Sequence, residues 1–335
     1  MDDTLPFVSI IMPVRNEATF IARSLGAVLA QDYPADRLEV LIADGMSTDD
    51  TRVIIRQLAA QHPQVPVRVI DNPGKIVPTG FNAALAQARG DVIVRIDGHC
   101  EIAPDYVSRC VIHLLEDGVD GVGGPIRTVG VTPLSATIAL AMSSSFGVGN
   151  SAFRTVKDKA MFVDTIAFPA YTRVTVEKAG LLDEELVRNQ DDEYNYRLRK
   201  LGAWLLLAPD VKATYYSRNS LRSLWRQYYQ YGFYKVRVLQ KHPHQMRLRQ
   251  FVPPAFVATV LGGALLSPFS RIVRRLWGLT VSAYVVANLF ASWRIARKTG
   301  YEHLWRLPVV FFILHFSYGL GFLRGLIHFR NRWAG

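Results

Sequence analysis

Three long stretches without a charged side chain, all near the C-terminus, constrain the fold more than any other feature. Each approaches the length of a helix that crosses the hydrocarbon core of a membrane, about 20 residues. Arginines bracket the stretches and tryptophans lie near their ends, as is typical of segments that meet a membrane interface. The alternative is a set of buried helices in a soluble domain, but such helices normally carry a polar stripe. The stretches are Phe251–Phe269, Leu276–Trp293 and Leu307–Leu323.

The charge distribution separates the same region from the rest of the chain. The 335 residues carry a formal net charge of +11. Residues 1–210 hold 20 Lys and Arg against 27 Asp and Glu, whereas residues 211–335 hold 19 basic residues and one acid, Glu302. The basic charge therefore coincides with the apolar stretches. This favours a membrane with anionic lipids and argues against a nucleic-acid partner.

The beginning of the chain lacks the pattern of a secretory signal peptide. Met1–Pro6 contains two acids, and the apolar stretch that follows is short. Cys100 and Cys110 are interpreted as reduced thiols. We therefore expect the large N-terminal domain to lie in the cytosol.

Short apolar strands alternate with helical segments before residue 120, which predicts an α/β domain whose mostly parallel sheet is covered on both faces. No G-x-G-x-x-G follows the first strand and the chain has no G-x-x-x-x-G-K-[ST], which disfavours dinucleotide oxidoreductases and P-loop NTPases. The predicted strands are Phe7–Val14, Glu39–Ala43, Val67–Ile70 and Asp91–Ile96, and the predicted helices are Glu17–Ala30, Asp49–Gln61, Thr79–Arg89 and Pro104–Glu116.

Polar residues follow four successive strands, where ligands of such sheets bind, although turn and cap residues are the ordinary alternative. Asp97 and His99 flank a glycine after the fourth strand, and their oxygen and nitrogen atoms both suit a divalent metal. Asp44 ends the second strand and either binds a nucleobase or ribose, or caps the next helix. Lys75 either faces a phosphate or is solvated.

Three adjacent acids, Asp191, Asp192 and Glu193, open a predicted helix within Asn189–Gly202. The helix dipole alone explains acids at this position, at roughly 0.3–1 kcal/mol each. One of these carboxylates is also available as the general base that an attacking sugar hydroxyl needs. Glycine is favoured at the position just after the end of a helix, and Gly202 lies at that position of the predicted helix.

Several stretches resemble family 2 of the inverting glycosyltransferases, which have the GT-A fold. The resemblance extends from residue 7 to about residue 240. It is closest to the membrane-associated subset that includes the succinoglycan-type β-glucosyltransferases of bacterial exopolysaccharide assembly. The stretches are IIMPVRNEATFI (Ile10–Ile21), IADGMSTDDT (Ile42–Thr51), GFNAALAQARGDVIVRIDGHC (Gly80–Cys100), Asn189–Gly202 and, for the subset, FGVGNSAFR (Phe146–Arg154), VDTIAFPAYTR (Val163–Arg173) and RQYYQYGFYK (Arg226–Lys235).

The resemblance implies roles for individual residues. Asp191 corresponds to the catalytic base, with Gln190 where an acid usually precedes it. Asp97 corresponds to the first acid of the family's D-x-D motif, which holds Mg²⁺ or Mn²⁺, and His99 replaces the last acid as a candidate ligand. The implied donor-binding residues are Pro13, Glu17, Asp44, Lys75 and Asp97.

The basic and aromatic segment Leu221–Val238 is predicted to be a helix in the membrane interface, near the head group of a lipid pyrophosphate. A connector without a ligand is the alternative. The Q-x-x-R-W signature of processive synthases is absent from the chain, which argues against a polymerising enzyme. The candidate acceptor or interface residues are Asp192, Arg226, Gln227 and Tyr231.

We therefore expect a catalytic domain over residues 1–217, an interfacial region over 218–250 and a membrane domain over 251–335. The expected reaction is the transfer of one hexose, such as glucose from UDP-glucose, to an oligosaccharide on polyprenyl pyrophosphate. The expected location is the bacterial inner membrane, with several crossings and a cytosolic catalytic domain. The alternatives are a polyprenyl-phosphate sugar transferase and a non-catalytic membrane scaffold that binds nucleotide-sugars.

Overall fold

The computed structural model describes residues 5–149 and 151–333, and the chain divides into two compact units. The first unit contains residues up to 127 together with residues 152–215. The second contains residues 128–151 and those from 216 onwards. Residues 128–151, which lie within the catalytic domain predicted over residues 1–217, thus group with the second unit.

The strands are short and mostly buried. In chain order they are β1 (Val8–Val14), β2 (Leu38–Asp44), β3 (Val67–Asp71), β4 (Val92–Arg95), β5 (Cys100–Ile102), β6 (Gly121–Gly123), β7 (Ile126–Val129), β8 (Met161–Phe162), β9 (Ala170–Thr172), β10 (Leu205–Leu207) and β11 (Ala213–Tyr216).

An eight-stranded sheet in the order β3-β2-β1-β4-β9-β6-β10-β8 organises the first unit. Strands β1 to β4 run parallel, as predicted, whereas β9 enters antiparallel between β4 and β6. A second sheet has the order β5-β11-β7. β1 and β2 are buried along their whole length, and β2 includes the buried acids Glu39 and Asp44.

The predicted helices begin and end within a few residues of their predicted positions, whereas the helices within residues 133–179 were not predicted. In chain order they are α1 (Ile21–Leu29), α2 (Thr51–Gln61), α3 (Val77–Leu85), α4 (Tyr106–Glu116), α5 (Pro133–Met142), α6 (Ser145–Val148), α7 (Ala152–Thr155), α8 (Arg173–Ala179), α9 (Gln190–Lys200), α10 (Leu221–Lys241), α11 (Val252–Leu266), α12 (Arg271–Thr299) and α13 (Leu307–His328).

Two helix ends show how local chemistry sets these boundaries. α1 starts four residues later than its predicted start at Glu17, because Asn16 has a positive φ of 53° and Thr51 Oγ1 accepts the Glu17 N–H. α9 ends as predicted: Gly202 follows its C-cap with a φ of +89°, a conformation that costs glycine little.

The three apolar stretches form the helices α11, α12 and α13, and the helical segments Leu248–Leu266, Arg271–Thr299 and Leu307–His328 are long and apolar enough to cross a membrane. Two buried polar side chains of the second unit have hydrogen-bond partners. Asn288 Nδ2 donates to the Pro308 carbonyl at 3.0 Å, and Thr137 Oγ1 lies 2.8 Å from His303 Nδ1. Such pairing is required where water is scarce. The composition and these helices indicate a membrane protein.

α10 packs lengthwise against α13 through glycines. A Cβ atom at Gly232 of α10 would collide with the Tyr318 carbonyl of α13, and one at Gly321 would collide with the Tyr229 carbonyl of α10. Gly325 lies similarly close to the Phe233 carbonyl, at 2.6 Å from the position of an added Cβ. The segment predicted to be an interfacial helix is therefore joined closely to an apolar helix of the same unit.

Candidate active site

The strand β4 leads into an ion pair at the carboxyl edge of the sheet. Arg95 Nη2 donates to Asp97 Oδ1 at 2.9 Å, and the two side chains are 10% and 23% exposed. Burial raises the pKa of the Asp97 carboxyl, but Arg95 and then His99 outweigh it, so that the pKa lies below its usual value. Asp97 is therefore an ionised carboxylate near neutral pH.

His99 has a carboxylate partner of its own. Its Nδ1 lies 2.9 Å from Glu17 Oε1, and its ring meets the Tyr215 ring edge to face at 5.1 Å. Burial lowers the pKa of His99, but the hydrogen bond with Glu17 outweighs it and the pKa is raised to about 9. The structure thus pairs His99 Nδ1 with Glu17, and the role of His99 as a metal ligand stays a proposal beside that of Asp97.

Asp44 lies fully buried at the end of β2. Its Oδ2 accepts the Ser47 N–H at 3.0 Å and also pairs with Arg52, which bridges to Asp71. Asp44 does not cap α2, whose N-cap residue is Asp50, but its carboxylate organises the turn before that helix. Asp44 Oδ1 is buried and has no hydrogen-bond partner among the described residues.

Asp191 lies exposed in the first turn of α9, where its Oδ1 accepts the Asp192 N–H at 2.9 Å. The buried Asn195 ties this turn to the sheet. Its Nδ2 donates to the Asp191 carbonyl at 2.8 Å, and its Oδ1 accepts the Tyr171 hydroxyl of β9 at 2.7 Å. The helix start is therefore anchored while the Asp191 carboxylate stays open to an incoming hydroxyl group.

Arg95 connects the two acids electrostatically. Burial lowers the pKa of the Arg95 guanidinium, but the carboxylates of Asp97 and then Asp191 raise it above the usual value. Sequence reasoning missed this residue, as it missed Asn195 and Arg52. The signal for Arg95 was present as a single cation in the apolar strand V-I-V-R-I-D.

The remaining first-unit candidates are placed as follows. Pro13 is buried in β1 beside Ala43 of β2. Lys75 is exposed in the turn after β3, with a φ of 60° and its N–H donating to the Asn72 carbonyl at 3.0 Å. Asp192 is half-buried in α9.

The acceptor candidates of the second unit lie on α10. Gln227 is buried and donates from Nε2 to the Tyr231 hydroxyl at 3.0 Å, whereas Arg226 is exposed.

A metal would find few protein ligands here. Within residues 5–149 and 151–333, no cluster of three or more His, Cys, Asp or Glu side chains is arranged to hold one. Asp97 offers a single carboxylate. Mg²⁺ is commonly held by one or two carboxylates together with substrate phosphates, so the donor set fits an ion that shares Asp97 with a diphosphate.

A mostly parallel sheet with ionised acids beyond its strand ends is the arrangement that the resemblance to GT-A enzymes implied. The family model described as "Glycosyl transferase family 2" matches residues 9–174. The chain belongs to glycosyltransferase family 2 and is a glycosyltransferase.

Two relatives match almost the whole chain. The succinoglycan biosynthesis protein ExoA of Rhizobium meliloti is 33% identical over 97% of this chain and 96% of its own length. A dolichyl N-acetyl-α-D-glucosaminyl phosphate 3-β-D-2,3-diacetamido-2,3-dideoxy-β-D-glucuronosyltransferase of Methanococcus voltae is 29% identical over 96% of this chain and 97% of its own length.

Solved structures agree on the fold. The mannosyltransferase PcManGT of Pyrobaculum calidifontis, solved with GDP-Man and Mn²⁺, has a TM-score of 0.61 at 20% identity and covers 93% of this chain and 86% of its own. TarS of S. aureus, residues 1–349 with UDP-GlcNAc, has a TM-score of 0.51 at 16% identity and covers 90% of each chain.

Proposed function

We propose that this protein transfers one hexose from a nucleotide-sugar to a lipid-linked saccharide, with inversion at the anomeric carbon. The observation that carries the proposal is the pairing of Asp97 with Arg95 at the end of β4, together with the anchored turn of α9 that leaves the Asp191 carboxylate exposed. One acid then serves the donor and the other the acceptor. UDP-glucose is the donor that we propose.

The proposed reaction is a single displacement. The acceptor hydroxyl oxygen forms a bond to the anomeric carbon as the bond from that carbon to the diphosphate oxygen breaks. Asp191 receives the hydroxyl proton, and the nucleoside diphosphate leaves with the electron pair of the broken bond. Asp97 and the N–H donors at the strand ends orient the donor, while the turn anchored by Asn195 holds the base.

A divalent ion, Mg²⁺ or Mn²⁺, would be held by Asp97 and the donor diphosphate, with His99 as the candidate second protein ligand. When bound, it supplies positive charge that neutralises the departing diphosphate. Glu17 supports this site by fixing His99, and Asp44 is proposed to contact the nucleoside through its unpartnered Oδ1. Pro13 and Lys75 complete the proposed donor site.

The acceptor is proposed to be a saccharide on polyprenyl pyrophosphate in a bacterial inner membrane. The two relatives, a succinoglycan biosynthesis protein and a dolichyl phosphate sugar transferase, support a lipid-linked or exopolysaccharide substrate, and the apolar helices support the membrane. We propose a cytosolic catalytic unit, several crossings, and acceptor contacts from Asp192, Arg226, Gln227 and Tyr231. The domain limits of 217 and 250 remain proposals for the ends of the catalytic and interfacial regions.

The test is a transfer assay with the detergent-purified full chain. A panel of UDP- and GDP-sugars is offered with Mn²⁺, Mg²⁺ or EDTA, and a bacterial lipid extract or bare polyprenyl phosphate serves as acceptor. We expect metal-dependent release of one nucleotide and a labelled lipid-linked product with the extract, lost in Asp97→Ala. Product on bare polyprenyl phosphate alone would contradict the proposed acceptor, and nucleotide binding without product would favour a scaffold.

A further inference from the structure

Burial of the charged Arg95 side chain at its position in β4 is energetically unfavourable. Arg95 is the last residue of β4, its side chain is 10% exposed, and its neighbours Val94 and Ile96 are fully buried. A buried charge is tolerated only when it is paired and hydrogen-bonded. Arg95 Nη2 is paired with Asp97, but Arg95 Nε is buried with no hydrogen-bond partner in the part of the chain that the structure describes.

A contribution to folding stability does not by itself explain a buried guanidinium that has an unpaired N–H donor. A well-packed apolar side chain at such a position is often as stable as a buried ion pair, or more so. The first unit contains a contrasting case in Glu39, which is fully buried and accepts from Ser9, Arg68 and Arg89. The incomplete pairing of Arg95 therefore indicates a role at the strand end rather than in the core.

Hydrogen bonds connect the end of β4, where Arg95 lies, to β9 and α9. The Arg95 N–H donates to the Pro169 carbonyl at 2.9 Å, just before β9, and Tyr171 of β9 holds Asn195 at the start of α9. The Asn195 side chain donates to the Asp191 carbonyl at 2.8 Å, so hydrogen bonds connect the end of β4, through β9, to the turn that carries Asp191.

We propose that Arg95 is a positioning residue for sugar transfer, whose guanidinium holds the Asp97 carboxylate in the orientation that the donor requires. This inference rests on the proposed function and deepens it. Arg95 acts through Asp97 and is not itself placed on the reacting atoms.

Three variants of the full-length protein test the inference. Arg95→Met removes the charge at similar length, and Arg95→Lys keeps a cation on a flexible stem. Arg68→Met is the matched control, since Arg68 is also a strand arginine paired with a carboxylate, Glu39, which retains Arg89. Turnover and the dissociation constant for UDP or GDP with Mn²⁺ are measured for each, together with the thermal unfolding midpoint.

We expect Arg95→Met to lower kcat by about tenfold or more, Arg95→Lys to restore it to within about threefold of wild type, and Arg68→Met to stay within about twofold. In an Asp97→Asn background, Arg95→Met should weaken nucleotide binding by less than about twofold further, because the two residues act together. Recovery of kcat in Arg95→Lys would show that Arg95 acts through its positive charge and not only by supporting the fold.

Two results would overturn the inference. One is an Arg95→Met enzyme within twofold of wild type. The other is an equal loss in Arg95→Met and Arg95→Lys that follows a lowered unfolding midpoint. Failure of the proposed function shows elsewhere, as an absence of transfer by the wild-type protein with every donor and acceptor.

Discussion

The two units of this chain differ in the contacts that stabilise them. The first unit pairs buried carboxylates with arginines, as in Glu39 with Arg68 and Arg89, or Asp97 with Arg95. In the second unit Asn288 donates to a carbonyl, and the helices approach through glycines at Gly232 and Gly321, although α10 also buries the cation Lys235. Apolar surroundings favour such close backbone contact.

The two units should therefore respond to different kinds of substitution. Function in the first unit depends on where charges are held, so isosteric changes of charge should act strongly there. The folding stability of the second unit depends on side-chain volume where its helices touch. One added methyl group at a contact glycine should therefore change the unfolding free energy more than a change of charge on the surface of that unit.

The largest effect is expected at the proposed base. Asp191→Asn changes charge but not shape, and loss of a general base typically costs about 10²–10⁴-fold in turnover. Donor binding should be retained, because Asp191 lies on α9 and not on a strand end. Turnover and nucleotide binding are measured side by side, with the exposed Glu177→Gln of α8 as control. Turnover near the wild-type level would remove Asp191 from the mechanism.

A volume change should act next most strongly. Gly232→Ala places a methyl group against the Tyr318 carbonyl, whereas Gly278→Ala of α12 meets no atom within 4 Å. We expect the first change to lower the unfolding free energy by about 1–3 kcal/mol and the second to leave it unchanged or slightly raised. Thermal unfolding in detergent measures both. Equal midpoints would show that the α10–α13 contact is not tightly packed.

The charged pair of His99 and Glu17 predicts a pH dependence. The pKa of His99 is raised to about 9 in the folded protein, so its stabilisation is complete below its unfolded pKa of about 6.5 and is lost as pH rises through 9. Wild type should lose about 3 °C more than His99→Gln in unfolding midpoint between pH 6.5 and 9.5. If the unfolding midpoints of wild type and His99→Gln changed equally with pH, the pairing of His99 with Glu17 would be contradicted.

The smallest effects should be alike in both units. Thr132 caps α5 and Thr172 caps α8, each by accepting a backbone N–H from the residue three positions later. Alanine at either position should cost roughly 0.5–1 kcal/mol in unfolding free energy, because a cap is a local interaction. A cost confined to one unit would mean that the contrast between the units extends to local contacts.

Sequence patterns predicted the elements well where the signal was local. The strands β1 to β4, the turn at Gly202 and the apolar helices α11 to α13 all follow from periodicity, composition and glycine chemistry. The parallel start of the sheet follows from the alternation of strands and helices.

Long-range pairing lay beyond those patterns. Nothing local indicated that β9 inserts antiparallel beside β4, or that residues 128–151 group with the C-terminal helices. The candidate acids were found as residues, but their partners were not: Arg52 on Asp44, Arg95 on Asp97 and Glu17 on His99 come from elements that the sequence places 2 to 82 positions away.

Nucleotide binding by wild type and Asp97→Asn tests the central claim most directly. Calorimetry with UDP and with GDP, in the presence of Mn²⁺ and with Arg68→Met as control, reports on the strand-end site without requiring an acceptor. We predict binding of one nucleotide by wild type and by the control, and weakening of at least about tenfold in Asp97→Asn. Equal affinity in all three proteins would show that the donor does not bind at the carboxyl edge of β4.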